Sequence, residues 1–87
     1  MFSISDNKGF QITFDNGYRV SVQFGPGNYG SNYNASFDEY GKPQKATIVE
    51  TALLDPNGNF VPYKDDDVQG YQNVNDVLEL LNFASKL

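Results

Sequence analysis

The side chains best equipped to hold a ligand sit close together in the run "RVSVQFGPGNYGSNY", from Arg19 to Tyr33. Arg19 is the only arginine of the chain, and its planar, permanently charged fork suits a phosphate. Tyr29 and Tyr33 offer rings on which a base can stack, while Asn28, Ser31 and Asn32 offer hydrogen bonds to a sugar or a base edge. Arg19 and Gln23 alternate with Ser21 along an extended segment, so the three share a polar surface that leads into the loop. Gly25, Gly27 and Gly30 permit close backbone approach, and free amides in such a turn can form an anion-binding nest. These residues together describe a site for a small nucleotide ligand. They have a plainer reading too, in which glycine and asparagine mark a bend and Arg19 decorates a solvated face.

Gly25 and Gly30 have the spacing of the outer glycines in a G-x-x-x-x-G phosphate cradle, but Ser31-Asn32 stand where that cradle needs a lysine and a hydroxyl. Pro26 removes one amide, and no helix is expected to follow, which argues against a nucleotide triphosphatase. Other chemistry is poorly served. The chain has no histidine and no cysteine, so it lacks the usual base near neutral pH, thiolate nucleophiles, disulfides and the commonest metal ligands. Glu50 lies mid-strand among Ile48, Val49 and Leu53, which makes it the carboxylate of most interest, although one carboxylate supports no mechanism. Asp55, Asn57 and Asn59 take the first, third and fifth places of a calcium loop, yet Phe60 stands where such a loop requires glycine, and an Asp-Pro-Asn-Gly turn explains the segment better. The expectation is binding without catalysis, with no cofactor and no metal site.

The formal charge of −5, with only six basic residues scattered along the chain, opposes binding to DNA or RNA through the phosphate backbone. It leaves room for an alternative: an acidic inhibitor that uses Asp65, Asp66 and Asp67 to occupy a basic surface of another protein, such as a nuclease. No apolar run is long enough to cross a membrane, and the start "MFSISDNKG" lacks the pattern of a signal peptide, so a cytoplasmic location is expected.

The elements that must position these groups follow from periodicity. Phe10, Ile12 and Phe14 alternate on one strand, Tyr18, Val20, Val22 and Phe24 on the next, and Asp15-Asn16-Gly17 between them is a hairpin signal. Phe2 and Ile4 suggest a short earlier strand, turned back by Asp6 to Gly9. Residues 25–45 read as a long loop, with a short strand around Ala35 to Phe37. Lys45 to Asp55 is rich in β-branched residues and apolar on both faces, which places it centrally in a sheet. "FVPY" reads as a short edge strand because Pro62 cannot donate to a ladder. Val74, Val77, Leu78, Leu81 and Ala84 trace a helical stripe, widened by Leu80 and Phe83, with Asn73 as N-cap. The expected architecture is a single α+β domain over residues 1–87: an antiparallel sheet of four or five strands under one C-terminal amphipathic helix. A chain of 87 residues buries only about 60% of its unfolded surface, and the broad apolar side of the helix leaves surface for a subunit contact, so a homo-oligomer is expected.

From Gly9 to Asn32 the sequence "GFQITFDNGYRVSVQFGPGNYGSN" resembles a group of small tailed-bacteriophage proteins with the signature "ITF-x-NG-x-x-VSVQFGPGNY". The resemblance covers little more than the first third of the chain. It implies a phage protein acting against host defence in the host cytoplasm. One such class is the anti-CBASS sponge, a non-enzymatic oligomer that sequesters cyclic nucleotide signals. No residue of a sponge's binding motif carries over position by position.

Overall fold

A computed structural model of the protein describes residues 1–5, 8–34 and 45–87. The Asp6–Asn7 half of the first expected turn and the strand expected around Ala35 to Phe37 lie outside the described residues. The alternating hydrophobic run forms a hairpin, β2 (Gly9–Thr13) and β3 (Arg19–Gln23), with Phe10 opposite Val22 and Ile12 opposite Val20. Gly17 has a φ of 88°, the left-handed conformation that the reversal requires. Asn16 secures the turn twice over: its Oδ1 accepts from the Tyr18 amide, and its Nδ2 donates to the Ala84 carbonyl at 2.8 Å, joining the hairpin to the end of the helix.

Around this hairpin the chain builds β1 (Phe2–Ile4), β4 (Val49–Leu54), β5 (Phe60–Val61), β6 (Val68–Gln72) and α1 (Val74–Ser85). The sheet is antiparallel in the order β1-β2-β3-β4-β5, and β6 also pairs with β4. β5 and β6 share the far edge of β4, β5 against its C-terminal end and β6 against its start. The architecture is therefore α+β as periodicity implies, with β4 central. The strand β6 is an addition, for "VQGYQ" has no alternation that would announce it. Its pairing also shifts register between Val49 and Thr51, and Tyr71 within it holds a φ of 55°.

Parity along the strands sorts the two faces. Val20, Val22 and Leu53 point towards α1, where they form the buried core with Leu80 and Ala84, flanked by Phe10, Phe14, Phe24 and Val77. Arg19, Ser21, Gln23, Glu50 and Ala52 point the other way, onto a face that carries no helix among the described residues. The helix begins with a reciprocal capping box, Asn73 and Asp76 each accepting the other's amide at 2.9 Å. Its stripe is centred differently from the expectation. Leu80 and Ala84 are its buried residues, whereas Val74 and Leu78 remain 75% and 55% exposed. A helix lying across β3, β4 and β6 buries a narrower arc than its sequence offers, and the surplus faces solvent.

The Asp55 turn shows how side chains fix the reversals. Asp55 Oδ1 accepts the amides of Asn57 and Asn59, each at 2.9 Å, as expected of an Asx turn rather than a cation loop. These bonds, that from Asn59 foremost, hold its carboxyl below the usual value of 3.8. With the folded pKa depressed, the stabilisation is present above the ordinary carboxylate range and is lost as pH falls through the lower, folded value. Asp55→Ala is thus expected to melt below the parent near neutral pH, and the gap should narrow on acidification. Thermal melts by circular dichroism across a pH series check this, and a gap that stays constant through the acid range would contradict it.

Candidate functional site

The glycine loop folds back across the start of β4, and most of its polar groups work to hold it there. Asn28 bonds the loop internally through Oδ1, which accepts from the Gly25 amide, and reaches Glu50 through Nδ2. Asn32 Nδ2 donates to the carbonyls of Phe24 and Lys45 at 2.7 and 3.0 Å. Ser31 Oγ accepts the amides of Thr47 and Ile48 at 3.3 and 3.0 Å. The backbone behaves likewise: the amides of Gly27, Asn28, Ser31 and Tyr33 all meet carbonyls of the protein. The Tyr29 amide meets a carboxylate, Glu50 Oε2, at 2.9 Å.

Glu50 therefore has a role the sequence did not disclose. It is the carboxylate around which the loop is wrapped, and it takes the Tyr29 amide that a nest would offer to a phosphate. A phosphate there would face both competition for donors and repulsion from a like charge. Two glycines make the close fit possible. A Cβ on Gly30 would come within 2.4 Å of the Ile48 carbonyl oxygen, and one on Gly70 would come within 3.0 Å of the Tyr29 Cβ.

What the fastened loop presents outward is aromatic. The rings of Tyr29 and Tyr33 stack with centroids 5.4 Å apart and an angle of 8° between planes. Tyr71 stands beside them, its centroid 6.1 Å from that of Tyr29 and its plane tilted by 35°. The Tyr71 amide donates to the Tyr29 carbonyl at 2.8 Å, so the main chain itself registers the strand against the loop. All three tyrosines remain substantially exposed, at 49%, 45% and 66%. Tyr71 belongs to the cluster although sequence spacing separates it from the loop by the whole of β4 and β5. Its left-handed backbone, unusual for a tyrosine, is the device that brings it in.

Arg19 and Gln23 lie on the same sheet face, opposite α1, at its two ends. Gln23 Nε2 donates to the hydroxyls of Ser5 and Ser21, and Arg19 Nη1 donates to Gln11 Oε1, all at 3.1 Å. The four-residue rise of a strand puts Arg19 about 13 Å from Gln23 and the loop beside it. The structure thus gathers Asn28, Tyr29, Ser31, Asn32 and Tyr33 with Gln23 nearby, and sets Arg19 apart across a polar sheet surface. Among the described residues no helix is long and apolar enough to cross a membrane. Comparison with protein-family models, curated proteins and solved structures finds no match to this chain.

Proposed function

We propose that the chain is a non-catalytic binding protein whose ligand is a planar, nucleotide-like molecule stacked on Tyr29, Tyr33 and Tyr71. The observation that carries this reading is the exposed tyrosine cluster itself: the central Tyr29 ring lies 5.4 Å from that of Tyr33 and 6.1 Å from that of Tyr71, on a loop held by its polar residues. Aromatic rings fixed at a surface hold bases by their faces. Glu50 keeps phosphate out of the loop interior, so the charged part of the ligand extends across the open sheet towards Arg19. Combined with the phage-like signature, this supports a protein of a tailed bacteriophage that sequesters a cyclic nucleotide signal of host defence.

The test is a melting series with cyclic mono- and dinucleotides, followed by mass analysis of what the protein retains. A rise in melting temperature with one class, and its recovery unchanged after denaturation, is the expected result. No shift across the panel would sink the reading, and an altered ligand would turn it into an enzyme. A second reading draws on the acidic turn. Lys64 faces the helix, with Nζ 3.7 Å from Asp76 and 4.0 Å from Glu79, and leaves Asp65, Asp66 and Asp67 at an exposed surface. Salt-sensitive capture of a basic defence protein, with no response to nucleotides, would favour that reading.

A further inference from the structure

The two edges of the sheet are treated differently. On the β5/β6 edge, Pro62 ends β5, the charged run Lys64 to Asp67 precedes β6, and the register shift opposite Tyr71 interrupts its pairing. These are the devices by which sheets discourage a further strand: proline, charge and irregularity. β1 has none of them. Its residues, Phe2, Ser3 and Ile4, are uncharged and regularly paired with β2, and Phe2 and Ile4 are 78% and 84% exposed.

The hydrogen-bond parity of β1 fixes what can be added there. The amides of Thr13 and Ser5 bond the carbonyls of Met1 and Gly9, so the odd-numbered residues of β1 face β2. In an antiparallel ladder, the alternate residues then direct both their N–H and C=O away from β2. Phe2 and Ile4 are those residues, and they carry the exposed apolar side chains as well. The side chains point to the α1 side of the sheet, because Phe2 pairs with Ile12 and Ile4 with Phe10. The helix crosses β3, β4 and β6 and leaves this strip uncovered.

We infer that β1 is a homodimer edge, at which two copies join antiparallel about a two-fold axis through Ser3. The occupant is a second copy because the strand is its own complement. In the antiparallel sense Phe2 meets the partner's Ile4 and Ile4 meets the partner's Phe2, each as a hydrogen-bonded pair, giving four ladder bonds. Ser3 faces its own counterpart in the non-bonded position at the centre. Apolar side chains lie against apolar ones on one face, the two serines lie on the other, and no charge is brought against a like charge. The two sheets become one, and the polar face bearing Arg19 and Gln23 runs on from one copy into the next.

Two substitutions separate this from an ordinary exposed strand. Ile4→Pro removes a donor that points outward and leaves the β1–β2 ladder its bonds, so the mass by sedimentation or native mass spectrometry should fall from twice 9.7 kDa to 9.7 kDa with the far-ultraviolet spectrum retained. Ser3→Cys introduces the only cysteine of the chain at a pair whose Cα atoms stand about 4.5 Å apart, within reach of a disulfide. Mild oxidation should link Ser3→Cys into dimers while Asn57→Cys, on the exposed Asp55 turn, stays unlinked. A parent protein that remains monomeric over its soluble range, a dimer unaffected by Ile4→Pro, or Ser3→Cys linking no faster than Asn57→Cys would each overturn the inference. Should Ile4→Pro fail to fold, the cysteine pair decides alone.

Discussion

Leu80→Ala is expected to destabilise the protein by about 2–5 kcal/mol, the cost of deleting a leucine side chain from a packed core. Leu80 is 1% exposed and, with Ala84, is what the helix buries against Val20, Val22 and Leu53. A domain of this size has a total stability of only about 0.05–0.15 kcal/mol per residue, so one substitution removes a large share of it. The melting temperature should fall by at least about 10 °C, which urea and thermal denaturation followed by circular dichroism will read. Leu78→Ala is the matched control. It is the same substitution two positions away on the same helix, but Leu78 is 55% exposed, and its loss should cost no more than about 0.5 kcal/mol. Equal effects at the two positions would mean that the helix is rotated from the orientation described.

The same pair of leucines shows where sequence reasoning stops. Alternation between apolar and polar residues on β2 and β3, closed by Asn16-Gly17, leaves one sensible hairpin because a one-residue slip would turn Phe10, Val20 and Val22 to the wrong face. In the helix, Val74, Val77, Leu78, Leu80, Leu81, Phe83 and Ala84 are apolar around so wide an arc that periodicity identifies a helix without choosing its centre. The centre is set by the sheet beneath. β6 was illegible for a related reason: Gln69, Gly70 and Gln72 carry little strand propensity, and the segment joins the sheet because β4 offers it backbone partners. Gln69 then becomes one of the buried polar residues, donating to the Tyr63 and Asp66 carbonyls and accepting from Thr51.

For the site, residue types were legible and their partners were not. The clustering of Asn28, Ser31 and Asn32 in the loop could be read directly. That they face Glu50, Thr47, Ile48 and Lys45 could not, because those contacts are made by the crossing of β3 to β4 and have no local signal. Polar side chains in a glycine-rich loop satisfy the loop's own backbone first, which leaves the tyrosines, rather than the amides, as the surface that meets a ligand.

Tyr29→Ala should consequently weaken binding of a base-bearing ligand by roughly tenfold to a hundredfold, the range for loss of one base–aromatic stack, with little change in melting temperature. The substitution isolates the ring because the other contacts of Tyr29 are made by its main chain: the amide to Glu50 at 2.9 Å and the carbonyl from the Tyr71 amide at 2.8 Å. Both survive in alanine, so the loop stays fastened while the central ring of the cluster is removed. Tyr29→Phe keeps the stacking face and should bind nearly as the parent does, whereas Glu50→Ala keeps the ring but releases the loop, and should lower affinity and stability together. Calorimetric titration of the parent, these three variants and Arg19→Ala with the nucleotide selected in the melting series distinguishes these cases. Affinity unchanged in Tyr29→Ala but lost in Arg19→Ala would move the site onto the strand face. The tyrosine cluster would then be a structural clasp between loop and β6, and the left-handed backbone at Tyr71 would serve to close that clasp.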